Sequence, residues 1–356
     1  MKDQHLHCYR VGKHFPEIYS WSVEKLKDCL ADIYDYTKES LLHIDKVIND
    51  IQQLNILQNM PLVRQRSKEW FDLRMNRLTA SDLAQALGKG KFGNRKQLLE
   101  SKAFPANTPL KSLPPLKWGV MFEEMGMRCY QQIVNPVKLY EFGLIPNDEI
   151  VCFGASPDGI TETGIMVEMK CPYNRKCTSD VPEQYYLQIQ GQLATCKLSL
   201  CDYVECYFEV YHDISEYMMS CTSMGNKEHG IILEFMNTNN DYIYEYSPEC
   251  YTTEECIQWA NEQVSILLKA EEPNTFIKMT PWRLKHIFHT RVTFDETLWK
   301  TIIPSIYDFW KEVEEIRLRG PPPPKPTVAS KLKRTLTLGV ENTQKYRFIE
   351  DSDDEK

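Results

Sequence analysis

The chain has 356 residues, is 42% hydrophobic and carries a formal net charge of -8. That length and apolar fraction allow one substantial core plus an appendage. No apolar run reaches membrane-spanning length, and the start Met1-Lys2-Asp3-Gln4-His5 lacks the apolar stretch of a secretory signal, so a soluble, intracellular protein with no membrane partner is expected. The twelve cysteines contain no C-x-x-C pair and read as reduced, largely core residues. A zinc site built from His5, His7 and Cys8 would lack a second cysteine pair.

In chain order, residues 1–60 show helical periodicity, at Trp21 to Leu30 and again at Leu41 to Ile51, and read as a small helical cap. The acidic total hides a basic stretch: residues 61–120 hold twelve Lys and Arg against four Asp and Glu, a net +8. A local basic face, not the global sum, is what phosphate contact requires. Within it, Arg74 offers a forked, permanently charged phosphate binder. Ser81 reads as the N-cap of a helix from Asp82 to Leu87, and a helix N-terminus presents free N–H groups to an anion. Lys89 to Lys96 reads as a basic loop with one aromatic, Phe92, suited to tracking a nucleic-acid backbone or wedging a base. The proline-bearing stretch from Pro105 to Pro115 reads as a loop at the active-site entrance.

Trp118 to Tyr130 has helical spacing and carries Glu123 and Glu124. Ile150 to Ala155 reads as a strand, and Pro157 and Gly159 force a turn that leaves Asp158 on a strand-end corner. Ile165 to Cys171 reads as the partner strand after a Thr161-Glu162-Thr163-Gly164 turn. Strand side chains alternate, so Glu168 and Lys170 share a face, and Pro172 ends the strand. Pro182 to Ala194 reads as a helix with Gln188 and Gln192 on one face at i,i+4. Strands are expected at Tyr203 to Tyr211, Ile231 to Phe235 and Tyr242 to Tyr246, then a helix from Glu254 to Ala270. A second helical region contains Trp299 to Arg317, and the run Pro321-Pro322-Pro323-Pro324-Lys325-Pro326 reads as a stiff spacer. The tail passes from basic Lys331-Leu332-Lys333-Arg334 to acidic Glu350 to Glu355 and reads as disordered, with a nuclear import signal as the alternative use of its basic cluster.

Asp158, Glu168 and Lys170 form the chemical centre of this pattern. Mg²⁺ takes hard oxygen ligands, usually one or two carboxylates with waters and substrate phosphate, and Asp158 and Glu168 supply that number. A bound metal polarises a phosphoryl group and activates water. Lys170 beside it would position or deprotonate the attacking water and offset phosphate charge. Glu123 or Glu124 adds a third carboxylate, and an amide at Gln188 or Gln192 would hydrogen-bond the surroundings of the lysine or the scissile backbone.

At these residues the chain resembles the lambda exonuclease family, the YqaJ-type viral recombinase nucleases, within the PD-(D/E)XK superfamily. The matching pieces are Glu69-Trp70-Phe71-Asp72-Leu73-Arg74 with Leu78-Thr79-Ala80-Ser81-Asp82, then Trp118-Gly119-x-x-x-Glu123, Ser156-Pro157-Asp158-Gly159, Glu168-x-Lys170-Cys171-Pro172 and Tyr186-Leu187-Gln188-Ile189-Gln190. Five ordered motifs over residues 62–212 carry the resemblance, less than half of the chain.

The resemblance implies an α/β fold of the restriction-endonuclease-like type, a mixed central sheet flanked by helices, with helical additions at both ends. It implies Asp158 and Glu168 as Mg²⁺ ligands, with Mn²⁺ as an alternative ion, and Glu123 as a further acidic ligand. Lys170 would be the catalytic lysine, Gln188 would orient it or the water, and Arg74 with Ser81 would hold a terminal 5′-phosphate. Glu124 and Gln190 are adjacent alternatives to Glu123 and Gln188. The implied organisation is a cap at 1–60, a nuclease core at 61–270, a helical extension at 271–319 and a tail at 320–356.

The expected function is 5′-to-3′ digestion of double-stranded DNA ends, leaving 3′ single-stranded tails for viral-type recombination, repair or genome processing. The family implies a trimeric homo-oligomer and a single-strand-annealing partner, and host cytoplasm or nucleus as the compartment. Two rivals are an endonuclease or RNA-degrading host-shutoff enzyme on the same fold, and a non-catalytic DNA-binding recombination scaffold.

Overall fold

A computed structural model describes residues 38–61, 63–65, 67–105, 113–135, 137–176, 180–221, 228–238, 240–249, 252–269 and 274–321. The helix expected at Trp21 to Leu30, the histidine and cysteine near the start, most of the Pro105 to Pro115 loop, the proline run and the charged tail lie outside these residues.

The helices are α1 (Lys38–Gln58), α2 (Lys68–Met75), α3 (Leu83–Ala86), α4 (Arg95–Ala103), α5 (Pro114–Cys129), α6 (Glu183–Cys196), α7 (Ile214–Cys221), α8 (Thr253–Leu267) and α9 (Glu296–Arg319). A seven-stranded sheet runs in the order β2 (Leu139–Tyr140), β5 (Gly159–Thr161), β6 (Met166–Lys170), β7 (Leu200–Val210), β10 (Thr275–Thr293), β8 (His229–Met236), β9 (Tyr242–Tyr246). A small sheet places β4 (Phe153–Ala155) between β1 (Leu78–Thr79) and β3 (Ile145–Pro146). β6 and β7 are parallel while β5–β6, β7–β10 and β8–β10 are antiparallel. The mixed central sheet flanked by helices is therefore the fold, as the sequence implied.

Parallel strands need a crossover connection, and α6 supplies it between β6 and β7. The sheet is covered on both faces. On one, α5 packs Met121, Phe122 and Met125 against Val167, Met169, Val204, Cys206 and Ile232. On the other, α6 and α1 pack Ile189, Leu193, Leu54 and Leu57 against Ile160, Met166 and Tyr203. Gly126 makes the first contact close, because a Cβ there would stand 2.7 Å from Met169 Sδ and 3.1 Å from Cys171 Sγ. The described cysteines are free and mostly buried, and burial pushes the Cys196 thiol up to about 12.

Three expectations about local structure are corrected. Ile150 to Ala155 is not the hairpin partner of the Glu168 strand: only Phe153–Ala155 is extended, and it pairs with β1 and β3. The partner of β6 is β5, Gly159–Thr161, so the chain re-enters a strand directly after Asp158. Pro157 and Gly159 suggested one turn, whereas the chain there switches sheets.

Ser81 is not a helix cap. Residues 80–82 form one 3₁₀ turn, α3 that follows has four residues, and its cap position Asp82 makes no capping hydrogen bond. The segment expected as a helical extension at 271–319 opens with β10, a 19-residue strand inside the main sheet. Pro281 and its Lys, Arg and His residues disguise it. The strand pairs with β8 through residues 275–283 and with β7 through 282–293, so Pro281 sits near the change of partner, where a missing N–H does least damage.

Candidate active site

Glu168 is wholly buried at the centre of β6. Its Oε1 accepts from Lys170 Nζ and from Gln188 Nε2 at 2.6 Å, and its Oε2 accepts from Gln192 Nε2 at 2.8 Å. Two-residue spacing on a strand brings Glu168 and Lys170 together, and four-residue spacing on α6 brings both glutamines over the same carboxylate. Gln188 therefore bonds the carboxylate that binds the lysine, part of the surroundings of the lysine. Gln190 faces elsewhere, donating to Thr293 O at 3.0 Å and accepting from Asp295 N at 2.7 Å.

Asp158 stands half-buried at the junction of the two sheets, its Oδ2 accepting the Met169 N–H at 2.8 Å. Burial, then the neighbouring Glu168 and Glu123 carboxylates, push its carboxyl well above the usual range, against the opposing pull of Lys170. Burial works to lower the Lys170 pKa, but Glu168 and Asp158 outweigh it and hold the ammonium more firmly protonated than a free lysine. Lys170 also lies 5.1 Å over the Tyr185 ring, and Arg175 lies 5.4 Å over the same ring.

Glu123 projects from α5 into a cleft of about 780 Å³ that Asp158 also lines, together with Arg64, Glu124, Arg128 and Glu141. Glu124 pairs with Arg128 at 3.0 Å, which leaves Glu123 as the α5 carboxylate that acts on Asp158. The cleft wall is latched to the Asp158 corner from the other side. Gln65 Nε2 donates to Phe142 O at 2.8 Å and Pro157 O at 3.2 Å, and Trp70 Nε1 donates to Ser156 Oγ at 3.1 Å.

Arg74 and Ser81 come together as the motif order implied. Arg74 Nη2 donates to Ser81 Oγ at 3.1 Å, and the guanidinium lies 4.4 Å over the Trp70 ring. The basic loop is shorter than expected. Asn94 caps α4 with a capping box, so Arg95 and Lys96 are helical, and Arg95 forms a two-pronged bond to Glu312 at 2.7 and 2.8 Å. Lys89 pairs with Glu183 at 2.6 Å, and Phe92 is 87% exposed between them.

Asp158, Glu168 and Glu123 fit a hard divalent cation in donor chemistry: all are oxygen donors, and the Glu168 and Glu123 carboxylates act on Asp158 at close enough range to raise it. Among the described residues no three acidic or histidine side chains already converge as a closed coordination set. Glu168 holds the Lys170 ammonium on one oxygen. Two members of the cluster have roles that the motifs did not assign, Gln192 and Ser156. The i,i+4 spacing with Gln188 was the signal for Gln192; Ser156 is placed by its contacts with Trp70 and Gln192.

Residues 69–199 match the family model of the YqaJ-like viral recombinase domain. A protein of Acanthamoeba polyphaga mimivirus, itself uncharacterized, is 22% identical over 341 residues, covering 85% of this chain and 62% of its own. A protein of African swine fever virus is 28% identical over 184 residues, covering 41% of this chain and 51% of its own. The chain thus spans less than two thirds of the length of these viral relatives. Among solved structures, an alkaline exonuclease from Laribacter hongkongensis aligns with TM-score 0.43 at 18% identity, over 76% of this chain and 99% of that one. A phage-related exonuclease from Haemophilus somnus aligns with TM-score 0.39 at 10% identity, over 67% and 94%. No described helix is long and apolar enough to cross a membrane. The matched segment contains α5, β6, α6 and all but the first residue of α2, and with them every candidate site residue; over residues 69–199 the chain is similar to the YqaJ-like viral recombinase domain.

Proposed function

We propose that this protein is a metal-dependent exonuclease that degrades double-stranded DNA from a 5′-phosphorylated end, leaving a 3′ single strand for recombination or genome processing. The observation that carries this reading is the Asp158, Glu168 and Lys170 cluster, joined through Ser156 and Trp70 to the Arg74 and Ser81 pair. A cutting centre linked by direct contacts to an anion-binding pair is what removal of terminal nucleotides requires.

Asp158 and Glu168 would hold Mg²⁺ or Mn²⁺, with Glu123 as a further ligand directly or through water. The ion, when bound, supplies polarisation of the scissile phosphate and a more acidic water. Gln188 and Gln192 fix the Glu168 carboxylate, so that it meets its partners without reorganising. Lys170, firmly protonated, serves as a positive charge beside the phosphate and a hydrogen-bond donor to the attacking water. Arg74 and Ser81 fix the end of the strand, so that the first phosphodiester faces Asp158.

The test is digestion of linear duplexes with 5′-phosphate or 5′-hydroxyl ends in Mg²⁺, beside closed circles and the Asp158→Ala and Lys170→Ala variants. The reading expects degradation of phosphorylated linear DNA, intact circles and loss of activity in both variants. Cleavage of circles would replace it with an endonuclease, and digestion of RNA in preference to DNA with an RNA-degrading enzyme. Activity that survives both substitutions would remove the metal-site assignment. The single-strand-annealing partner and the trimer stay within this proposal; sedimentation of the full chain tests the second.

A further inference from the structure

Behind Arg74 and Ser81 lies a closed ring of polar contacts that none of the motifs explains. Ser81 Oγ touches Thr79 Oγ1 at 3.0 Å, and Thr79 Oγ1 donates to Asp82 Oδ2 at 2.8 Å. That carboxylate pairs with Lys102 Nζ at 2.8 Å, and Lys102 Nζ donates to the backbone carbonyl of Arg74 at 3.1 Å. Arg74 Nη2 to Ser81 Oγ, at 3.1 Å, completes the ring.

Lys102 is only 7% exposed, in the last turn of α4. Burial lowers its pKa and Asp82 opposes that; Asp82 in turn is held below the usual carboxylate range, the Lys102 and Arg74 charges outweighing its burial. A buried ammonium is costly unless paired and hydrogen-bonded, so its position here is strongly determined. From outside the ring, Arg317 Nη2 on α9 donates to Met75 O at 3.0 Å and Lys102 O at 2.8 Å. One guanidinium thus ties the end of α2, which carries Arg74, to the end of α4, which carries Lys102.

We propose that Lys102, braced by Arg317 and paired with Asp82, is the positioning residue that sets Arg74 and Ser81 for a terminal phosphate, and so determines the preference for phosphorylated 5′ ends. The inference rests on the end-recognition reading above. Two features support it. Lys102 grips the carbonyl of the same residue whose guanidinium faces Ser81, which limits how Arg74 can turn. Asp82, the carboxylate whose charge acts on Arg74 among the described residues, is paired with Lys102, which offsets its repulsion of an incoming phosphate.

The experiment compares the full-length wild type with Lys102→Met, with the double variant Asp82→Asn/Lys102→Met and with Arg317→Met. The readout is the ratio of kcat/KM on 5′-phosphorylated and 5′-hydroxyl duplexes, split into kcat and KM. The double variant removes the buried ammonium together with its carboxylate partner and keeps the test valid if Lys102→Met fails to fold. The expected result is a fall of about tenfold or more in that ratio for the double variant, carried by KM on phosphorylated ends, as loss of a charged hydrogen-bond partner implies. Arg317→Met should move the ratio in the same direction by a smaller factor. A double variant that folds and keeps the wild-type ratio overturns the proposal while leaving end recognition intact. A wild type that cuts DNA without distinguishing the two ends overturns end recognition, and this proposal with it.

Discussion

Gln192 Nε2 lies 2.8 Å from Glu168 Oε2, one helical turn beyond Gln188, whose Nε2 lies 2.6 Å from Oε1 of the same carboxylate. Both oxygens of a buried acid are thereby fixed from one helix. Groups that orient a metal ligand typically matter by about ten- to a hundredfold. Gln192→Leu and Gln188→Leu should each lower kcat/KM by that range and raise the Mg²⁺ concentration for half-maximal rate. Titration of nuclease rate with Mg²⁺ in each variant checks this; a change in rate with no change in metal dependence would place the amides elsewhere in the mechanism.

Asp158→Asn and Lys170→Met should each reduce cleavage by at least about a hundredfold, the scale of a positioned metal ligand or catalytic cation. Lys170→Met also leaves Glu168 without its ammonium partner, so its thermal stability should fall in metal-free buffer and recover in part when Mg²⁺ is added. Differential scanning with and without the ion reads this directly.

Asp50 predicts a pH dependence of stability. Burial raises its carboxyl from 3.8 to about 7, against the Ser199 hydrogen bonds and Lys46 that pull it down. A raised acid is unfavourable to the fold once it ionises: the penalty is absent below the unfolded value, grows as pH rises between 3.8 and about 7, and is complete above that. Asp50→Asn keeps an acceptor for the Ser199 N–H, now 3.0 Å away, and removes the charge. It should stabilise the protein by roughly 2–4 kcal/mol above pH 7 and change little near pH 4. Denaturant unfolding of both proteins across that range measures the difference, and a constant difference would show that Asp50 is not its source.

Gly126 sets how closely α5 approaches β6. A Cβ there would meet Met169 Sδ at 2.7 Å and Cys171 Sγ at 3.1 Å. The methionine end can yield, so Gly126→Ala should cost about 1–2 kcal/mol as overpacking. Glu123 lies one turn away on the same helix, so the catalytic rate should drop more than stability alone explains. Chemical denaturation beside kcat at a temperature where both proteins are folded separates the two effects.

Much of the site was legible because its motifs are local. Glu168 and Lys170 meet through strand alternation, Gln188 and Gln192 through helical spacing, and Glu123 through its place after Trp118-Gly119. The less legible parts depend on distant pairing. The β5 strand after Asp158 has three residues and follows a proline, too short for a pattern. β10 contains a proline and many charges, and only its two neighbours, β7 and β8, make it a strand. In the sequence Lys102 is one of twelve basic residues at 61–120 and Asp82 stands at the start of an expected helix; their meeting needs α4 to fold back on the 3₁₀ turn.

The sequence by itself determined the chemistry: which carboxylates, lysine and amides stand at spacings that place them on shared faces, because alternation and helical repeat act within a few residues. Only the tertiary structure decided what each of them touches. It placed Asp158 where two sheets join, gave Glu168 three donors instead of open coordination, and put Lys102 and Arg317 behind Arg74. Apart from the Lys170 pair, two positions from Glu168, those contacts join residues up to 242 positions apart, and burial acts on their charges, which no local pattern records.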